Sequence, residues 1–140
     1  MQPRLKAVSR NSGPQILDKT FANRLCAAGA VYATVFGSVA RGEERFDRDI
    51  DVAVSFGKPM SSNRKMTVMA IIAEVSGRSV DLIDLEKAEG LILAQALGGR
   101  EILCDSVATR TRMAVRLMRS EDDRMSVARA MRSARKHLFP

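Results

Sequence analysis

Apolar positions along the chain fall into alternating periods, and the changes of period mark the elements. From Gln15 to Ala28 they recur at Ile16, Leu17, Phe21, Leu25 and Ala28, helical spacing that Gly29 ends. Ala30 to Phe36 (AVYATVF) is short, β-branched and aromatic, and lies between glycines, so it predicts a buried strand. From Asp49 to Phe56 (DIDVAVSF), Ile50, Val52 and Val54 alternate with Asp49, Asp51 and Ala53. That predicts a second strand with one apolar face and one face that begins with two acids. A helix follows over about 63–75, with Met66, Met69, Ala70, Ile72 and Ala73 on its buried side and Gly77 as its stop. Ser79 to Leu85 (SVDLIDL) predicts a third strand, Glu86 to Leu97 a helix and Glu101 to Cys104 a short fourth strand. Val107 to Leu138 holds neither Gly nor Pro and predicts one or two helices.

This order gives an α/β (α+β) domain, a small mixed sheet of about four strands flanked by helices, with a long helical C-terminus. The 140 residues suit one domain. Residues 1–14, with Pro3, Gly13 and Pro14 among polar positions, form an N-terminal extension expected to be loosely ordered. Residues 15–106 carry the sheet, and residues 107–140 form a basic, Met-containing helical segment packed on the domain or on a partner.

Composition narrows the function. Cys26 and Cys104 form no CxxC pair and His137 is the only histidine, so ligand spacing assembles no zinc site. Two reduced thiols in a cytoplasmic protein are the simpler expectation. No apolar run is long enough to span a bilayer and the first residues lack a secretory signal's apolar stretch, so no membrane role is expected. Nine basic residues stand against three acidic ones from Val107 onward, which places +6 of the net +7 there. Such a segment suits an anionic partner or a solvated helical face equally. Aromatics make up only 4% of the chain, so the interleaved stacking residues of a single-strand nucleic-acid platform are lacking.

The segment that carries chemistry runs from Val35 to Val54 (VFGSVARGEERFDRDIDVAV). The first strand leads directly into Gly37-Ser38 and a short helical turn ending at Gly42. Glycine lets backbone approach a phosphate, helix N-terminal amides point at the anion, and the Ser38 hydroxyl and Arg41 add donors. Asp49 and Asp51, two apart on a strand, project from one face. Two like charges so placed are unfavourable without a cation between them, and hard oxygen donors point to Mg²⁺. Paired acids of this kind hold two metal ions about 3.5–4 Å apart in phosphoryl- and nucleotidyl-transfer enzymes. A third carboxylate is available on SVDLIDL, where Asp81 and Asp84 face opposite sides of the sheet. Asp81, expected to be buried in mid-strand, is the preferred one, because burial without a cation would be costly. Asp84 is expected to be exposed or to cap the following helix.

Gly37-Ser38, ten residues and then Asp49-Ile50-Asp51 resemble the GSx10DxD signature of the polymerase-β-like nucleotidyltransferase superfamily. GSVARG, DRDIDVAV and VDLIDL together resemble its minimal members, the MNT domains, including MntA-type antitoxins of HepT/MntA (HEPN/MNT) toxin–antitoxin systems. The resemblance covers about Gln15 to Ser106. It implies that Gly37 and Ser38 hold the phosphates of ATP, that Asp49 and Asp51 bind two Mg²⁺ ions, and that Asp81 serves as ligand and base. It also implies transfer of AMP to a tyrosine of a partner HEPN-domain toxin, hence a hetero-oligomer. Arg48 stands where the family commonly has Ser, on the side away from Asp49 and Asp51. The small size favours an acceptor site supplied by a partner protein. The alternatives are transfer to a small molecule, or an antitoxin that neutralises its partner by binding alone. A binding role draws on Ala114, Leu117, Met118, Met125, Ala128 and Met131, which share one helical side that could instead pack on the sheet. Nucleic acid is not expected as a direct substrate.

Overall fold

The computed structural model describes residues 19–37 and 49–138. In chain order the elements are α1 (Lys19–Ala27), β1 (Tyr32–Phe36), β2 (Ile50–Ser55), α2 (Ser62–Ser76), β3 (Val80–Asp84), α3 (Gly90–Leu97), β4 (Arg100–Cys104) and α4 (Val107–Leu138). The strands form one mixed sheet in the order β3-β2-β1-β4. β1 runs antiparallel to β2 and β4, and β2 is parallel to β3, to which α2 connects it. α1 and α2 pack on one face, α3 and α4 on the other, as the expected fold class requires.

Alternation along the strands builds two cores. Val35, Ile50, Val52, Val54 and Leu82 point toward α1 and α2, where they meet Phe21, Leu25, Val68, Ile71 and Ile72. Tyr32, Phe36 and Ala53 point the other way, toward Leu93 and Ala96 of α3 and Met113 of α4. Both inner strands are covered on two sides, which is why β1 and β2 read as nearly unbroken apolar runs.

The buried side of α2 differs from expectation. Val68, Ile71 and Ile72 are buried, whereas Met66 and Met69 are exposed, as are Ala70 and Ala73. Only Ile72 belongs to both sets, because the other four positions lie on the opposite side of the helical cylinder. Ser61 caps α2 by accepting from the Arg64 N–H at 3.2 Å, and the Gly77 N–H closes it on the Ala73 carbonyl.

The helix expected from Glu86 begins at Gly90 instead. Asp84 holds the intervening residues in a turn: its carboxylate accepts from the Glu86 N–H at 3.0 Å, and its carbonyl accepts from Lys87 and Ala88. The second carboxylate oxygen accepts from the Met60 N–H at 2.8 Å and ties the loop before α2 to the end of β3. Asp84 thus caps a turn, not a helix.

Val107 to Leu138 is a single helix. Its docked side is largely polar, not the apolar side named above. Arg112 donates to both Glu86 oxygens at 2.6 and 2.9 Å, and Arg116 donates to Glu86 at 2.8 Å and to the Ala88 carbonyl at 3.0 Å. The Ser120 hydroxyl donates to the Gly90 carbonyl at 2.7 Å, and Arg110 pairs with Glu101. Met113 is the buried apolar contact, while Ala114, Met118 and Met125 are exposed and Leu117 is half-buried. The side chains of Ala128 and Met131 lie outside the described residues. Both cysteines are free, Cys104 buried and Cys26 half-buried. Among the described residues no helix is long and apolar enough to cross a membrane.

Candidate active site

The sequence-predicted acids gather where β1 ends and β2, β3 and β4 begin. In the antiparallel pairing of β1 with β2, Phe36 stands opposite Asp51. In the parallel pairing of β2 with β3, Asp51 stands beside Asp81. In-register neighbours project from the same face, so the two carboxylates share the side of the sheet that α3 covers. Asp84, three residues on from Asp81, faces α2 and is occupied there. Register thus puts Asp81, and not Asp84, on the face of Asp51, but the burial expected of Asp81 is not found: Asp81 is exposed. Among the described residues it lies on the edge strand of the sheet, whose outer side no described strand covers.

Gly37 follows β1 with φ of 72°. A Cβ on Gly37 would collide with the Asp51 carboxylate, so the missing side chain lets that carboxylate lie against the backbone. Asp49 directly precedes β2 and is exposed. Burial, then the like charges of Asp81 and Asp49, hold the Asp51 carboxyl above the ordinary carboxylate range. Asp51 therefore lies near enough to both Asp81 and Asp49 to feel their charges. Ser38, Arg41, Asp47 and Arg48, with the turn expected from Ser38 to Gly42, lie outside the described residues.

Asp51 and Asp81 open into a cleft of about 700 Å³ with Phe36 and Gly37. The opposite wall comes from Ile92 and Gln95 of α3, the Gly98-Gly99 turn and Arg100 at the start of β4. Sequence reasoning missed this wall. The Gly98-Gly99 pair just before a strand was its one visible signal, since paired glycines often mark a close approach of backbones.

Among the described residues, no group of three or more His, Cys, Asp or Glu side chains is arranged to hold a metal ion. The acids provide a partial, open set of hard oxygen donors with excess negative charge. That set fits Mg²⁺, which uses one or two carboxylates together with substrate phosphates and water. It does not fit a zinc site, which needs a closed set of nitrogen and sulfur ligands.

Known structures share this architecture. A chain of a mutant MntA–HpeT toxin–antitoxin structure matches with a TM-score of 0.68 and 14% identity, over 86% of this chain and 97% of that one. A chain of a toxin–antitoxin structure with AMP-PNP gives 0.62 and 14% identity, over 85% and 98% of the two chains. A chain from the complex of a tri-AMPylated Shewanella oneidensis HEPN toxin with an MNT antitoxin gives 0.61 and 15%, over 90% and 98%. At these identities the likeness is one of fold. No curated protein sequence matches. Residues 22–108 match the family model described as polymerase beta, nucleotidyltransferase, a span that holds β1, Gly37 and all three acids. The chain belongs to the polymerase beta nucleotidyltransferase family.

Proposed function

We propose that the protein is a Mg²⁺-dependent adenylyltransferase that moves AMP from ATP to a tyrosine hydroxyl of a HEPN-type toxin, and so acts as an antitoxin. The observation that carries this reading is the register of Asp51 with Asp81 beside Gly37, in a cleft open to a large substrate. The AMP-PNP structure and the tri-AMPylated toxin complex of the same fold support the choice of adenylyl transfer and of a protein acceptor. In this reading Gly37, Ser38 and Arg41 hold the triphosphate, and Asp49, Asp51 and Asp81 hold two Mg²⁺ ions. When bound, these ions neutralise charge on the reacting phosphate and lower the pKa of the attacking oxygen. Asp81, exposed on the edge strand, takes the proton from the acceptor hydroxyl. That oxygen bonds to the α-phosphorus, the bond from the α-phosphorus to its bridging oxygen breaks, and pyrophosphate leaves.

The exposed apolar side chains of α4, Met118 and Met125, support a bound partner whether or not it is modified. Neutralisation by binding alone is therefore the second reading. One measurement separates the two: the intact mass of the neighbouring-encoded or copurifying toxin after incubation with ATP and Mg²⁺. The control is the Asp49→Asn, Asp51→Asn double variant. Mass gains in AMP steps with the wild type and none with the variant are expected. Equal binding by both forms with no mass gain overturns the catalytic reading and leaves the steric one.

A further inference from the structure

The helix α4 changes character at Ser120, whose hydroxyl on the Gly90 carbonyl is its last described hydrogen bond to the body. Before that point its cations are committed: Arg110 pairs with Glu101, and Arg112 and Arg116 with Glu86. Past it the helix continues to Leu138, roughly 27 Å at 1.5 Å per residue. Every side chain described there is exposed: Glu121, Asp122, Met125, Arg129 and Arg132. None of these four charges has an ion-pair partner among the described residues. A helix of this length is marginal in water by itself, so cover along this stretch stabilises it.

The order of charges selects what covers it. Glu121 and Arg132 are eleven positions apart, about three helical turns, and Asp122 and Arg129 are seven apart, about two. Each acid therefore shares a flank of the helix with one arginine, and Met125 lies between the flanks. A nucleic acid or an acidic protein face suits the arginines and is repelled by the acids. A second copy of α4 laid antiparallel presents the same charges in reverse order. In such a two-fold pair each flank meets the same flank of the other copy, and every contact occurs twice. Glu121 then faces Arg132 of the other copy and Asp122 faces Arg129. Both pairings call for a two-fold axis at nearly the same level, within about a residue of Met125.

We propose that residues 121–132 of α4 are a self-association surface, on which two copies of this chain pair antiparallel through Glu121–Arg132 and Asp122–Arg129 contacts around Met125. The pairing goes beyond the adenylyltransferase reading and does not depend on it. Met113 and Ser120 mark the side of α4 that faces the body, so the copies meet on the other side and leave the cleft open. An interface one helix long is small, and a dissociation constant on the order of 10–100 µM is expected.

The experiment is sedimentation equilibrium of the full chain at low salt, without nucleotide. Beside the wild type it uses two double variants, Glu121→Arg with Asp122→Arg, and Arg129→Glu with Arg132→Glu. Circular dichroism and thermal unfolding check that each is folded. The wild type should dimerise, and more weakly as salt is raised. Each double variant alone sets like charges against each other, and its dissociation constant should rise on the order of a hundredfold. Mixed in equal amounts, the two variants set opposite charges against each other again, and a dimer of one chain of each should form. A wild type that stays monomeric up to about 500 µM would overturn the proposal. So would double variants that dimerise as well as the wild type, since another face would then hold the copies. Variants that are monomeric alone and remain so when mixed would overturn it as well, because the charges would not be pairing with each other.

Discussion

The two faces of the sheet are built from the same strands and are chemically unlike. Toward α1 and α2 the strands present Val35, Ile50, Val52, Val54 and Leu82, and the helices answer with Phe21, Leu25, Val68 and Ile72. Toward α3 and α4 they mix Tyr32, Phe36 and Ala53 with buried Thr34 and Ser55 and with Asp51 and Asp81. The helices there are held through polar atoms: the Thr34 hydroxyl donates to the Ala96 carbonyl at 2.7 Å, and Glu86 grips Arg112 and Arg116. Period-two alternation lets β2 serve both sides, with Val52 in one core and Asp51 one residue earlier in the cleft. One face is thus an apolar core, and the other combines a second core with the acids of the candidate site.

The largest expected effect breaks the apolar face alone. Leu25 is fully buried between α1 and the sheet, on the side away from the cleft. Leu25→Ala should destabilise the protein by about 2–5 kcal/mol, the lost transfer free energy plus the cavity left behind. At low temperature, where the variant is still folded, nucleotide affinity should match the wild type. Urea unfolding read beside nucleotide binding checks both halves. A variant that keeps its stability but loses nucleotide binding would reverse the assignment of the two faces.

Gly37→Ala sharpens the comparison, since Gly37 belongs to the backbone and to the site at once. Alanine at this φ costs about 1–2 kcal/mol, and its methyl group must displace the Asp51 carboxylate. A displacement of about 1 Å at a reacting centre costs roughly a hundredfold in rate. Transfer should therefore fall further than stability, the opposite of the Leu25→Ala result. Equal, small losses in both would mean that Asp51 need not lie against Gly37 to function.

These contrasts were legible in the sequence where they depend on local period. The alternation of DIDVAV and the glycine after the first strand placed Asp51 and Gly37 correctly, and parity separated Asp81 from Asp84. Properties that depend on which strands become neighbours were not legible. Asp81 was expected to be buried because its flanking residues are apolar, but β3 is an edge strand, and edge position is a matter of topology. Ile92 and Gln95 line the cleft only because α3 crosses over the sheet. The polar hold on α4 was hidden because arginines on a helix read as solvated until Glu86, more than twenty residues earlier, is brought against them. For α2 the apolar residues are spread around the helix, so composition alone picked the wrong side.

The smallest effect tests the chemical face without chemistry. Asp51 keeps its proton to higher pH in the folded, metal-free protein than in the unfolded chain, because of burial and then the charges of Asp81 and Asp49. Its contribution to stability is therefore fully present below the ordinary carboxylate pKa, about 3.9. It is lost as pH rises through the raised folded value, since ionisation then favours the unfolded chain. The group is partly open to solvent, so screening limits the effect to a few tenths of a kcal/mol. Asp51→Asn should match the wild type in acid and become slightly the more stable protein toward neutral pH, as read by thermal unfolding in chelator. Adding Mg²⁺ should reverse that order, because an ion that binds the folded carboxylates stabilises only the protein that has them. A gap between the two proteins that stays constant from acid to neutral pH would mean that Asp51 does not sense its neighbours. A gap that Mg²⁺ leaves unchanged would mean that the cluster, though charged, does not take the ion.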